Sequence, residues 1–265
     1  MKPAPFDYAA PRSLDEALGL LGDDATPLAG GQSLVPLLNF RLARPALLVD
    51  LGRVEELDYL RDEAGTLRIG AMTRQSELAR SGLAAERWPL LGQALRHVGH
   101  PATRNRGTVG GSAAHADPAG ELPAVLTALA ARFRLKSRHG ERTVEAEEFF
   151  RGMLTTARAA DELLTEIEVP ALAEGARSAF EEHARTHGDW ALSGAAVVAA
   201  PDAGVAICLL ATVPAPRRAR EAEAALHDGA DPAEVAALAA AGIDDEYRRA
   251  LAGELTRRAL ERVLA

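Results

Sequence analysis

Two short segments, "AGGQS" (Ala29–Ser33) and "TVGGS" (Thr108–Ser112), constrain this chain more than any other part of it. Each sets two adjacent glycines at the start of a helical pattern and flanks them with hydroxyl or amide side chains. A single glycine pair at a strand end is an ordinary turn, so it is the duplication that needs explaining. Glycine reaches left-handed backbone angles cheaply, and without a Cβ its N–H groups can approach an anion closely. Gln32 and Ser33 add donors at a helix start, where unbonded N–H groups favour negative charge. Thr108 and Ser112 flank Gly110 and Gly111 in the same way. Neither segment contains Lys or Arg. The expectation is two cradles of backbone and hydroxyl donors facing each other across a pyrophosphate. The chain has no G-x-G-x-x-G and no G-x-x-x-x-G-K-[ST], so neither a Rossmann fold nor a P-loop is supported.

Around these segments helix and strand patterns alternate. "SLDEALGLLGD" predicts a helix capped by Ser13, with Glu16 completing a capping box and Gly22 as the stop. "TPLAGG" reads as a strand entering the first glycine turn, and "QSLVPLLNFRL" as a helix that keeps Pro36 near its first turn. "ALLVDL" (Ala46–Leu51) is a buried strand, and Glu63-Ala64-Gly65 turns a hairpin. Helices are expected at Arg74–Arg80 and about Ala85–Val98. The segment Gly99–Gly120 lacks periodicity and reads as a long functional loop. A helix over about Leu122–Ala130, a hairpin turning at His139-Gly140 and the strand "DELLTEIEVP" follow. Beyond Pro170 the pattern becomes a small antiparallel meander with a Pro201-Asp202-Ala203-Gly204 turn. Three helices rich in Ala, Arg and Glu then close the chain. Arg217, Arg218 and Arg220 read as solvated residues opening the first of these, and a soft boundary falls at Pro170–Gly175.

Composition excludes several classes. The only cysteine, Cys208 in "VAICLLA", reads as a buried strand residue. It permits neither an internal disulfide nor an iron–sulfur cluster held by this chain, which takes about four thiolates. A net charge of −8 with scattered arginines gives no nucleic-acid footprint. No apolar run reaches the roughly 18 residues of a membrane span, and the first residues lack a signal-peptide core, so the expected location is the cytoplasm. His97, His100 and His115 have no carboxylate at ligand spacing, so no metal is expected. No Ser–His–Asp or Cys–His set stands out. His115 and Asp117 either touch a ligand or hold their own loop. Trp190 either plugs the C-terminal sheet or stacks near a bound ring.

Taken together, "PLAGGQSLVPLLNFRLARPALLVDL", "NRGTVGGSAAHADPAGELPAVL", "DELLTEIEVP", "HGDWALSGAAV" and "VPAPRRAREAEAAL" resemble the FAD-binding medium subunit of the molybdenum hydroxylases, the family of carbon monoxide dehydrogenase and xanthine dehydrogenase. The resemblance runs from about Pro5 onward. It implies an α+β chain with a vanillyl-alcohol-oxidase-type (PCMH-type) FAD-binding fold. Two α/β subdomains would form a unit over 1–172, split near 53, and 173–265 would form a C-terminal domain with a three-stranded antiparallel sheet and helices. FAD would be held, without a covalent link, by Leu28, Ala29, Gly30, Gly31, Gln32, Ser33, Leu34 and Val35, and by Thr108, Gly110, Gly111 and Ser112. His115 and Asp117 would lie nearby. Glu121, where Asp is usual, would lie near the adenosine ribose; Val98, Leu164 and Trp190 would lie near the flavin ring. No catalytic residue is implied on this chain. The implied partners are a large molybdopterin-binding subunit carrying the molybdenum cofactor and a small subunit with [2Fe-2S] clusters, assembled as a dimer of heterotrimers. Electrons from the [2Fe-2S] subunit would reach FAD and then an external acceptor. Two alternatives stay open: a self-sufficient flavoenzyme like enolpyruvoylglucosamine reductase, and an assembly subunit that has lost FAD.

Overall fold

The computed structural model describes residues 2–201 and 204–265; the predicted Pro-Asp-Ala-Gly turn falls on Asp202 and Ala203, outside the described residues. The chain opens with β1 (Asp7–Ala9), α1 (Leu14–Gly19), β2 (Ala25–Leu28), α2 (Leu34–Asn39) and β3 (Leu47–Asp50). The three strands pair in parallel in the order β1-β3-β2. Ser13 caps α1, its Oγ accepting from the Glu16 N–H at 3.2 Å. The Glu16 carboxylate accepts from the Arg12 N–H at 2.8 Å, one residue further back than a capping box predicts. The helix ends at Gly19 rather than Gly22. Ala17 and Leu18 pack with Val49, Leu51 and Leu57 in a small core of their own.

A short 3-10 turn leads to the hairpin β4 (Leu60–Glu63) and β5 (Thr66–Gly70). Ala64 and Gly65 both have positive φ there, the geometry that matches strand twist in a two-residue hairpin. Six helices follow: α3 (Gln75–Arg80), α4 (Gly82–Arg87), α5 (Pro89–Leu95), α6 (Pro101–Arg106), α7 (Val109–His115) and α8 (Glu121–Ala128). The single helix expected over Ala85–Val98 is therefore two, because Pro89 keeps Trp88 out of helical geometry and starts α5. The segment expected as a long loop holds α6 and α7, of six and seven residues, too short to display a helical period. Then come β6 (Arg132–Ser137), β7 (Gly140–Glu145), α9 (Ala146–Phe149), the small hairpin β8 (Phe150–Gly152) and β9 (Thr155–Thr156), and β10 (Leu163–Val169).

Strand β10 returns to the middle of an antiparallel sheet ordered β4-β5-β10-β6-β7, so this half is α+β, not α/β. One face buries Leu67, Ile69, Phe133, Leu135, Ile167 and Val169 against the helices. On the other, Glu166 and Glu168 are covered by arginines from neighbouring strands, with Arg68 Nη1 2.8 Å from Glu166 Oε1 and Arg134 Nη2 2.7 Å from Glu168 Oε1. The edge strands β4 and β7 are mostly exposed and carry charge along their length.

The remaining strands β11 (Arg177–Ala184), β12 (Ala191–Ala200), β13 (Gly204–Leu210) and β14 (Arg217–Arg218) form an antiparallel sheet in chain order. Three long strands were expected; the two-residue β14 adds a fourth. Arg218 is not a solvated helix residue but a half-buried strand residue, with Nη2 2.7 Å from Glu223 Oε2. Helices α10 (Arg220–His227), α11 (Pro232–Ala240) and α12 (Glu246–Leu264) cover one face of this sheet through Ala179, Val197 and Ile207. The other face, with Phe180, Ala196, Cys208 and Leu210, belongs to the same core as Ile69 and Phe133. Cys208 is fully buried, as its strand context predicts.

Candidate functional site: a cavity among three sheets

A cavity of about 780 Å³ opens among the three larger sheets, lined by parts of β2, α2, α7, α8 and β10 and by Gly188–Trp190 between β11 and β12. The first glycine segment forms one wall. Gly31 has φ +75°, which turns the chain from β2 into α2, and its carbonyl accepts from the Val35 N–H at 3.0 Å. Ser33 provides no side-chain cap. Among the described residues, the N–H groups of Gly31, Gln32, Ser33 and Leu34 meet no acceptor. This wall is a cradle of free donors.

The second segment is not its mirror image. Thr108 caps α7, its Oγ1 accepting from the Gly111 N–H at 2.9 Å. The Val109 N–H donates to the Thr73 carbonyl, Gly110 to Ala71 and Ser112 to Thr108, at 3.0, 3.0 and 3.1 Å. From Val109 to Ser112 the N–H groups are thus already bonded, and the segment offers the cavity hydroxyls instead. Ser112 Oγ accepts from Gln75 Nε2 at 2.7 Å, which leaves its own hydrogen to donate. The glycines here serve close packing: a Cβ on Gly110 would lie 2.5 Å from the Ala71 Cβ. Gly30 has the same role, since a Cβ there would lie 2.2 Å from the Arg106 carbonyl oxygen, just before the second segment. The two motifs meet backbone to backbone.

Every expected site residue lines the cavity except Leu28 and Val35. Thr26 and Pro27 line the cavity from β2, whereas Leu28 does not; its Cδ1 lies against the Gly31 turn. Val35 sits on the outer side of α2, 42% exposed, while Leu34 and Leu37 point inward. Trp190 is 61% exposed at the cavity rim, which rules out the plug. Asp117 Oδ1 accepts from the Ala119 N–H at 2.9 Å, so this carboxylate holds its own turn while lining the cavity; His115 Nε2 lies 3.9 Å from its other oxygen. Burial lowers the His115 pKa, with Asp117 opposing. Burial pushes Glu121 up to about 7, with Asp117 adding to the shift and Arg104 opposing it. Arg104 Nη1 donates to the Val98 carbonyl at 2.8 Å, which holds this cation beside Val98. Phe40, Leu154, Gln75 and Arg158 also line the cavity and had no motif to mark them. Among the described residues no group of three or more His, Cys, Asp or Glu is placed to hold a metal, and no helix is long and apolar enough to cross a membrane.

Residues 4–172 match the family model described as the FAD binding domain in molybdopterin dehydrogenase. The chain belongs to this family. It is 39% identical to the carbon monoxide dehydrogenase medium chain of Hydrogenophaga pseudoflava over 98% of this chain and 97% of that one. It is 47% identical to the 6-hydroxypseudooxynicotine dehydrogenase complex subunit alpha of Paenarthrobacter nicotinovorans over 76% of this chain and 69% of the relative. A solved structure of the Hydrogenophaga pseudoflava carbon monoxide dehydrogenase, in a form lacking the Mo-pyranopterin moiety, superposes with a TM-score of 0.94 at 41% identity, covering 100% of this chain and 99% of that one. The fold is thus the PCMH-type FAD-binding fold, in an FAD-dependent oxidoreductase family. The residues present fit the cofactor. Four free N–H groups suit a pyrophosphate, and the cavity lies within the roughly 300–1,000 Å³ typical of cofactor sites.

Proposed function

We propose that this chain is the flavin-bearing medium subunit of a molybdenum-containing hydroxylase, receiving electrons from a [2Fe-2S] partner and passing them to an external acceptor. The observation that carries this reading is the set of unbonded Gly31–Leu34 N–H groups on the wall of a cavity large enough for a dinucleotide. In it, residues 1–172 form the FAD unit and 173–265 the C-terminal domain. The Gly31–Leu34 N–H groups and the Thr108 and Ser112 hydroxyls hold the pyrophosphate. Val98, Leu164 and Trp190 exclude water around the ring, and Glu121 lies near the adenosine ribose. When bound, FAD supplies the ability to accept electrons singly and release them in pairs. The chain works in the cytoplasm beside a large molybdopterin-binding subunit and a small [2Fe-2S] subunit, in a dimer of heterotrimers.

The purified chain should be yellow, and heat or acid should release its colour as free FAD. With both partners present, the substrate of the molybdenum subunit should bleach the flavin absorbance, whereas the chain alone should stay yellow with the same substrate. Turnover by the single chain would overturn the reading in favour of a self-sufficient flavoenzyme. A colourless chain that still assembles would favour a structural subunit.

A further inference from the structure

Gln75 opens α3 behind the second glycine segment, and backbone bonds fix it there. Its N–H donates to the Gly107 carbonyl at 2.9 Å, and the neighbouring Arg74 forms an isolated antiparallel bridge with Thr108. Gln75 is 3% exposed and lines the cavity. Its Nε2 donates to Ser112 Oγ at 2.7 Å. Its Oε1 lies against Gly107, where a Cβ would come within 2.5 Å of it, and meets no hydrogen-bond partner among the described residues. A residue that only filled this space would not need an amide, since an apolar side chain of similar length avoids the cost of an unpaired buried oxygen. The one hydrogen bond this amide makes is to a hydroxyl on the cavity wall.

A serine hydroxyl has a single hydrogen and gives it in one direction at a time. An acceptor at position 75 would draw that hydrogen away from the cavity, whereas a donor there leaves it free to point inward. Ser112 stands next to the first cradle: a Cβ on the adjoining Gly111 would lie 3.2 Å from the Ala29 Cβ. We propose that Gln75 is a positioning residue that fixes the direction of the Ser112 hydroxyl. By donating to Ser112 Oγ, it makes this wall give a hydrogen to a phosphate oxygen of FAD rather than oppose it with a lone pair. This rests on the reading of the cavity as the FAD site. Gln75 acts through Ser112 and touches no phosphate itself. An ionised carboxylate in its place has no hydrogen to give, so it would reverse the hydroxyl. A protonated carboxyl would serve as the amide does.

The test is the dissociation constant of FAD from the full chain, measured by equilibrium dialysis for the wild type, Gln75→Glu, Ser112→Ala and the double variant, at acid and at alkaline pH. At alkaline pH the introduced carboxyl is ionised. Gln75→Glu should then weaken binding about tenfold more when Ser112 is present than in the Ser112→Ala background, the worth of one hydrogen bond to a charged group. On the acid side of its titration the carboxyl donates as the amide does, and this difference should vanish. Repulsion between the new charge and FAD, or looser packing around α3, would weaken binding equally in both backgrounds. Equal losses, which an amide turned end for end would also give, would overturn the proposal and leave the FAD reading standing. If Gln75→Glu does not fold, Gln75→Met takes its place in the cycle. It removes the donor without adding charge, and Ser112 is then free to turn to the Thr108 carbonyl, one turn back in α7. Its loss should be severalfold and confined to the background that keeps Ser112; an equal loss in both would again overturn the proposal. A wild-type chain that takes up no FAD would overturn the FAD reading itself.

Discussion

A methyl group is the smallest side chain that can be added to a backbone, and at Gly30 there is no room for it. Gly30→Ala should push the first motif away from the Arg106 carbonyl and destabilise the chain by roughly 1–3 kcal/mol, the usual range for overpacking. Gly31→Ala must hold φ +75°, which costs about 1–2 kcal/mol, and its Cβ would press on Val35 Cγ2 at 3.2 Å. Thermal unfolding of the FAD-free chain measures both. Gly31→Asp adds a charge to the cradle and should lose FAD altogether, read by absorbance after gel filtration; full occupancy would mean the cradle is an ordinary turn. Burial raises the Glu121 and Glu182 pKa values above those of the unfolded chain, so the folded state holds the extra protons. Stability should therefore fall as pH rises from the ordinary carboxyl range through about 7 to 8, and Glu182→Gln should remove part of that fall. Urea midpoints across this range check the sign. Trp190, exposed at the rim, should lose fluorescence when FAD binds, whereas Trp88, fully buried, should be out of reach of acrylamide throughout.

At the scale of elements, α7 shows how much can hang on one cap. Thr108→Ala leaves the Gly111 N–H without its acceptor and should cost about 1 kcal/mol, while Thr108→Ser should cost little; a denaturant series separates them. The same element shows what a sequence can and cannot disclose. The Ser13 cap, the hairpin at Ala64-Gly65 and the strand "LLTEIEV" were legible because each rests on local chemistry. The first cradle was legible for the same reason. The second was misjudged because its N–H partners, the Ala71 and Thr73 carbonyls, lie more than thirty positions away in the chain. Glu166 and Glu168 look like a solvated face in isolation, and only Arg68, Arg132 and Arg134 from adjacent strands make that face a buried one. Short helices such as α6 carry too few residues to repeat a pattern.

For the whole molecule, the core ignores the compositional change near Pro170. Phe180, Cys208 and Leu210 pack in the same cluster as Phe133 and Ile167, and Trp88 Nε1 donates to the Pro170 carbonyl at 2.7 Å. Unfolding followed by Trp88 fluorescence and by helix content should therefore give one coincident transition. Two separated transitions would show that the C-terminal sheet folds as an independent unit. The exposed borders of the central sheet have a further consequence. Arg61, Asp62 and Glu63 on one side, and Glu141, Arg142 and Glu145 on the other, make strand addition by a second copy electrostatically and sterically poor. A chain made for a multi-part enzyme waits for the other parts, and while it waits such borders are where fibrils would start. With both sealed by charge, a surplus of this chain made ahead of its companions should resist joining edge to edge through this sheet.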